Sequence, residues 1–411
     1  MRPRWTQMGI VAIAASLSLA ACSGGNQATT ASASATPNSN PITVLIASST
    51  PAEGDSVKAA VAGWSAQSGI KAQVKVASNL VQEASQGFAS GKPDDVLYVS
   101  TDQLPGWAKN GSLMAYGDQL TNRADFYPGL AKAFTYDGKF YCAPKDFSTL
   151  ALVINTDMWS KAGLTDADVP KTWADLEAVA KKLTQGKRVG LAMNAQIERI
   201  GVFFGQNGGS LTSDDGKTAT ANSAANVGGL AFVKKMLNEG WGAWASDLGS
   251  GWGGEALGKE QAAMVIEGNW ITGAMSSTYP SVHYKVVELP SGQKASTLQY
   301  TNCWGIAADG QNKGAAVKLV EYLTSTEQQL AFAKAFGVMP SVQSAAEKWK
   351  SDNPNMVPFI NGAAYAQNLP ASAAAIQAIT DFNSKLGELK SGDPQTMLDK
   401  LQTNLAAALN G

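Results

Sequence analysis

The chain has 411 residues, of which 45% are hydrophobic and 16% charged, with 41 Gly and 16 Pro. Such a composition can bury a substantial core over two or three domains, and it excludes general disorder and collagen-like repeats. Lys and Arg total 32 against 33 Asp and Glu, a formal net charge of −1, so no basic excess exists to neutralise phosphates and nucleic acid is not an expected partner. Any Ser-His-Asp or Cys-His site would have to be built on His283, the single histidine. A structural zinc site normally draws four Cys or His ligands, and with only Cys22, Cys142 and Cys303 beside His283 no metal or cofactor is expected.

Arg2 and Arg4 precede an uncharged apolar run at residues 8–21 that is too short to span a bilayer. A basic segment followed by a short apolar one reads as a secretory signal peptide over residues 1–21. It ends in Leu19-Ala20-Ala21-Cys22, which resembles the bacterial lipobox. The resemblance implies cleavage before Cys22 and attachment of a lipid to its thiol; an ordinary signal peptide with an incidental Cys22 is the alternative. Residues 23–40 contain no charge, no aromatic ring and no aliphatic side chain larger than Ala. Burial cannot offset the ordering entropy of such a segment, so residues 22–40 read as a lipidated cysteine and a flexible linker. No later stretch reaches the roughly 18 continuous apolar residues of a membrane helix, so the mature chain is expected to sit on the membrane without crossing it.

Strand and helix patterns alternate from Ile42 onward. Residues 42–47 form a short apolar run rich in β-branched side chains, as in a buried parallel strand. Val57, Ala60, Val61 and Trp64 recur at helical spacing, Val74 and Val76 mark a second strand, residues 80–88 a helix, and residues 96–99 a third strand. This order argues for a parallel sheet covered by helices on both faces. A second series begins after Pro144, with a strand at residues 150–154. Thr172 then caps a helix carrying Trp173, Leu176, Ala180 and Leu183, with Asp175 completing a capping-box pattern, and residues 189–193 form another strand. Ala316, Val320 and Leu323 mark a further helix, Ser325 and Gln328 look like the capping box of the next, and the last fifty residues read as mostly helical. No internal repeat and no Pro-rich linker divides the mature chain, so two lobes joined by several crossings fit best.

Several segments resemble, in order, the carbohydrate-binding group of extracellular solute-binding proteins of bacterial ABC importers. They are Gly91-Lys92-Pro93-Asp94-Asp95-Val96; residues 134–144, with Asp137-Gly138-Lys139, Tyr141 and Pro144; Asn155; Pro170-Lys171-Thr172-Trp173; and Gln206-Asn207-Gly208-Gly209. Residues 251–258 (GWGGEALG) lead on to Glu267-Gly268-Asn269-Trp270, and Cys303-Trp304-Gly305-Ile306-Ala307 and Gly337-Val338-Met339-Pro340 complete the series. The resemblance implies an α/β, periplasmic-binding-protein-like fold of two lobes joined by hinge strands, each a mainly parallel sheet flanked by helices. It implies an N-lobe of residues 42–146 plus 306–345 and a C-lobe of residues 147–305 plus 346–411, closing on a sugar. The expected role is that of a monomeric, lipid-anchored binder outside the cytoplasm, not an enzyme, that delivers a mono- or oligosaccharide to the transmembrane subunits of a permease.

A neutral sugar offers hydroxyls and patches of C–H, which carboxylates, amides and flat aromatic rings complement. Of the eleven tryptophans, five lie between residues 241 and 304. The resemblance places Trp270 and Trp304 in the cleft, stacked on the sugar. Trp252, among Gly249, Gly251, Gly253 and Gly254, suits a loop over a ligand, whereas Trp64 and Trp173 lie on helical apolar stripes and read as structural. Asp146 follows Pro144-Lys145 where the lobes should meet and is the first candidate acid. Glu53 follows the first strand, on the side where open parallel sheets bind ligands. Asp94 or Asp95, with Asp95 preferred, precedes the third strand, and Asn79 and Gln82 lie at the next helix start. Glu255 and Asn269 are the C-lobe candidates. His283, in residues 281–287, reads as a surface or edge histidine on a strand. Cys142 and Cys303 belong to segments that should both run near the lobe junction, so they are either disulfide-bonded, as an extracytoplasmic setting permits, or two small buried thiols.

Two other readings remain at this level. A surface-anchored glycosidase would need two carboxylates at a fixed separation across one bond, which no spacing here pairs. A binder of a peptide, a polyamine or glycerol phosphate keeps the fold, but an anionic ligand would call for converging basic side chains, and Arg123, Arg188 and Arg199 are the only arginines beyond residue 4.

Overall fold

The computed structural model describes residues 41–48 and 50–410. The expected signal peptide, lipid site Cys22 and linker therefore lie outside the described residues. Among the described residues twelve strands follow one another: β1 (Ile42–Ile46), β2 (Ala72–Val76), β3 (Val96–Ser100), β4 (Thr135–Tyr136), β5 (Lys139–Phe140), β6 (Ala143–Asn155), β7 (Val189–Met193), β8 (Gly242–Trp244), β9 (Ala262–Gly268), β10 (Tyr284–Val287), β11 (Thr297–Ile306) and β12 (Ala366–Gln367). The main path runs β2-β1-β3-β11-β6-β9-β7-β8, with β10 beside β6, β12 beside β11, and β4-β5 as a separate hairpin.

Parallel pairing holds at the two outer parts of this path, β2-β1-β3 and β9-β7-β8. Between them β11 pairs antiparallel with both β3 and β6, and β6 antiparallel with β9. The architecture is α/β and two-lobed, and β6 and β11 are the long strands that pass from one lobe into the other. Each lobe closes its own apolar interior: one gathers Ile42, Val44, Ile46, Val57, Val61, Trp64, Leu97 and Val320, the other Leu152, Leu176, Leu191, Phe203, Leu230 and Met264.

Local chemistry sets the element boundaries. Thr50 caps the helix Pro51–Ser68, whose proline at the first helical position lacks an N–H that would have no partner there. Thr172 and Asp175 form the reciprocal capping box of the helix Trp173–Leu183. Ser325 accepts the Gln328 N–H at the start of Thr326–Phe336, although the Gln328 side chain reaches Tyr322 instead of completing a box. The strand read at residues 150–154 is the C-terminal part of the thirteen-residue β6. His283 lies just before β10, exposed, with Nδ1 3.0 Å from Asp157. Among the described residues no helix is long and apolar enough to cross a membrane.

The strand pairing between the lobes carries a covalent tie. Cys142, preceding β6, is disulfide-bonded to Cys303 of β11, 161 residues away, with Cα atoms 5.7 Å apart. A cross-link closing so long a loop removes much conformational freedom from the unfolded chain. The Cys142→Ser/Cys303→Ser double variant is expected to lose roughly 3–5 kcal/mol of unfolding free energy. Urea unfolding followed by circular dichroism checks this, and an unchanged midpoint would contradict it.

Candidate ligand-binding cleft

A cleft of about 1040 Å³ opens where the two lobes meet. The parallel strands β1 and β3 bring their C-terminal ends to it: Ala47 and Thr50 follow β1, and Ser100, Thr101 and Asp102 end or follow β3. This is the side on which open parallel sheets expose loop and helix-start backbone to ligands. Glu53, in the first turn of the helix Pro51–Ser68, points into the same space. The other lobe contributes Glu198, Asn269, Trp270 and Tyr300.

The floor of the cleft depends on an irregularity in β6. Asn302 of β11 opposes Asp146, yet the next residue, Cys303, opposes Pro144. Lys145 is therefore the extra residue of a β-bulge, and the bulge re-aims its side chain. In a regular strand Lys145 and Asp146 would point to opposite faces. Here both line the cleft, with the Lys145 ammonium in contact with the Asp146 carboxylate and 3.1 Å from Glu53. The ammonium also lies 4.7 Å from the centre of the Tyr98 ring and 5.6 Å from that of Phe336. Both partners are buried, Lys145 6% and Asp146 8% exposed, so the charges must satisfy one another. Burial lowers the Lys145 pKa, but Asp146, Tyr98 and Glu53 together hold it above the ordinary lysine range. Burial raises the Asp146 pKa against the pull of Lys145, and the like charge of Glu53 adds a smaller push in the same direction.

Trp270 supplies a flat apolar surface on the opposite lobe and remains 39% exposed. Its Nε1–H donates to Glu267 Oε2 at 3.0 Å, and the Arg199 guanidinium lies 5.1 Å from its ring centre. The indole folds back over Gly268, where a Cβ would come within 2.2 Å of the ring, so only glycine fits. Asn269 lines the cleft as well, but its amide is engaged: Nδ2 donates to the Gly337 carbonyl at 3.1 Å and Oδ1 accepts from the Ser148 hydroxyl.

The cleft thus gathers Glu53, Asp146, Asn269 and Trp270 from the candidates read in the sequence. The others lie elsewhere. Trp304 is 1% exposed in the interior around β3 and β11, between Tyr98 and Ala143 on neighbouring strands, and its ring meets Tyr98 edge-on at 4.9 Å. A central strand position covered on both faces buries it behind Tyr98, and it is Tyr98 that reaches the cleft. Trp252 packs against an interior cluster with Leu257 and Met275 and does not line the cleft. Glu255 accepts the Gly251 N–H at 2.6 Å and pairs with Lys259, stabilising its own helix start.

Asp95 precedes β3 and so occupies the end of the parallel sheet opposite the cleft. It accepts from the Thr43 N–H at 2.9 Å and from the Gln311 and Asn312 N–H groups, tying three segments together. Asp94 pairs with Lys75 at 2.6 Å. Asn79 caps the helix Leu80–Ala89 by accepting the Gln82 N–H, and it is Leu80 and Val81, not Asn79 or Gln82, that face the cleft. Lys145, Tyr98, Tyr300 and Glu198 were missed. For Lys145 the only signal is its place beside Asp146, which strand alternation would have read against it. Among the described residues no group of His, Cys, Asp and Glu is arranged to hold a metal ion.

The Lys145 cluster has a measurable consequence. Lys145→Met leaves Glu53 and Asp146 buried together without the Lys145 ammonium, a change expected to cost about 3–5 kcal/mol near pH 7. In the folded variant the carboxylate pKa then stands above its unfolded value of about 4. The folded state binds the extra proton, so stability falls as pH rises through that interval and the deficit against wild type is smaller at pH 4 than at pH 7. Urea midpoints at the two pH values test this, and an equal deficit at both would contradict it.

The similarity of this chain to known proteins agrees with that geometry. A family described as bacterial extracellular solute-binding protein matches residues 27–358. The diacetylchitobiose binding protein of Streptomyces coelicolor is 24% identical over 69% of this chain and 68% of its own length. A maltooligosaccharide ABC transporter solute-binding lipoprotein of Streptococcus pneumoniae is 27% identical over 64% of each chain. Among solved structures, the cyclic α-maltosyl-1,6-maltose binding protein of Arthrobacter globiformis superposes with a TM-score of 0.80 at 19% identity, covering 90% of this chain and all (100%) of the other. The sugar-binding protein of Xanthomonas citri gives the same TM-score, 0.80, at 19% identity over 90% of this chain and 98% of the other. With most of its length matched by the family and its two-lobed fold shared with these binders, the chain belongs to the bacterial extracellular solute-binding proteins.

Proposed function

We propose that this protein captures a neutral mono- or oligosaccharide between its lobes and delivers it unchanged to the transmembrane subunits of an ABC importer. The observation that carries this reading is the pairing, across one cleft, of an exposed indole face with a buried set of charged hydrogen-bonding groups. Trp270 provides the apolar surface for the C–H face of a pyranose, and Glu53, Asp146 and Lys145 accept from and donate to its hydroxyls. The names of the relatives, binders of diacetylchitobiose and of maltooligosaccharides, support a saccharide of more than one unit, as does the volume of the cleft.

Among the described residues, four carboxylates, Glu53, Asp102, Asp146 and Glu198, line the cleft against the single ammonium of Lys145. That balance favours an uncharged ligand over a phosphorylated or acidic one. A glycosidase would need carboxylates on either side of a bond. The two that are buried here, Glu53 and Asp146, are both ion-paired to Lys145, which supports a role as hydroxyl acceptors.

The lobes that close are residues 42–146 with 306–345 and residues 147–305 with 346–411, hinged on β6 and β11. In this reading the mature protein is a monomer tethered by lipid at Cys22 to the outer face of the cell membrane, which keeps the loaded form near its permease.

Calorimetry and tryptophan fluorescence against a panel of mono-, di- and trisaccharides test the proposal. A submillimolar or tighter ligand is expected to change the emission, and Trp270→Ala is expected to weaken it about tenfold, the equivalent of roughly 1.4 kcal/mol. A folded protein that binds no sugar of the panel would overturn it.

A further inference from the structure

The indole of Trp270 is held by groups that do not themselves line the cleft, and their arrangement is more specific than packing requires. Glu267 is fully buried in β9, three residues before Trp270, and its Oε2 accepts from the indole N–H at 3.0 Å. The same oxygen accepts from Arg199, from Nε at 3.1 Å and from Nη2 at 3.0 Å. Arg199 in turn holds its guanidinium carbon over the indole ring, 5.1 Å from its centre. One carboxylate oxygen therefore binds the indole edge and the cation that covers an indole face.

The rest of the frame fixes these two residues. Arg199 Nη1 donates to the Glu198 carbonyl at 3.1 Å, and the Tyr300 hydroxyl donates to the same carbonyl at 2.5 Å. Tyr300 meets Trp270 edge-on, with ring centres 5.5 Å apart. Behind Glu267, a Cβ at Gly253 would stand 2.7 Å from Oε1, so the glycine-rich segment read in the sequence as a loop over the ligand instead gives the carboxylate room from the rear.

We infer that Arg199 and Glu267 are positioning residues that lock the Trp270 indole in one orientation before ligand arrives, leaving its exposed surface for the sugar. The inference rests on the saccharide reading of the cleft for its effect on affinity, but not for its effect on the indole. A surface side chain with two rotatable torsions would otherwise sample several rotamers, and fixing it in advance removes that ordering cost from binding. A buried carboxylate whose cation is removed has reason to reorganise, and the indole loses its acceptor and its cover together.

The test uses the protein labelled with 5-fluorotryptophan, with the Trp270 resonance assigned by its absence in Trp270→Phe. In the wild-type apo protein one narrow Trp270 line is expected, and slow exchange of its indole N–H although the ring is partly exposed. Arg199→Met and Glu267→Gln should broaden or split that line and leave the remote tryptophans unmoved, while Arg199→Lys should restore a single line in part. Sugar affinity should fall at least about fivefold in Arg199→Met. A fast-exchanging wild-type indole N–H would overturn the inference without recourse to any variant. So would variants that keep the Trp270 line narrow and the affinity within twofold. If no sugar binds the wild type but the Trp270 line still responds to Arg199→Met and Glu267→Gln, the saccharide reading fails and the clamp stands.

Discussion

The antiparallel pairing of β6 with β11, broken by one bulge, is the constraint on which the rest of the molecule depends. These strands carry the chain between lobes, and their register decides which residues reach the cleft. Because Asn302 faces Asp146 while Cys303 faces Pro144, Lys145 is left over. The extra residue lets two neighbours in sequence share one face, so an ammonium and a carboxylate stand side by side where alternation would have separated them. The Cys142–Cys303 bridge lies immediately beside this irregularity and ties its two strands covalently.

Both sides of the cleft then solve the same electrostatic problem. Burying a charge is costly unless it is paired and hydrogen-bonded. On one side Lys145 is shared by Glu53 and Asp146 and faces two aromatic rings; on the other Arg199 and Glu267 neutralise each other and hold Trp270. Charged groups fixed by their partners, and an indole fixed by its neighbours, lose little freedom when a ligand arrives. A polyol that leaves one of the buried acceptors unpaired would be rejected, since an orphaned buried polar group costs more than a formed hydrogen bond gains.

Much of the fold was legible in the sequence because periodicity and caps are local. The helix caps at Thr172 and Ser325 and the strands at β1, β3 and β7 fall where spacing and side-chain chemistry put them. The site was legible only in part. Trp270 and Trp304 have similar surroundings in sequence, yet one follows the end of β9 at the cleft and the other sits mid-sheet behind Tyr98. Asp95 was misplaced because a residue before a parallel strand lies at the end of the sheet remote from the ligand, a distinction between strand ends that matters more than proximity to the strand. Lys145 was missed because a bulge is a property of pairing, and the residues of β11 that leave it over, Asn302 and Cys303, are remote in sequence.

The most direct measurement of the central claim is a crystal structure of the protein grown with an oligosaccharide that it binds. A pyranose ring is expected to lie flat on the exposed surface of Trp270, with hydroxyls bonded to Asp146 or Glu53 and the lobes drawn together. Density for the sugar outside the interlobe cleft, or inside it but touching neither Trp270 nor the Lys145 cluster, would contradict it.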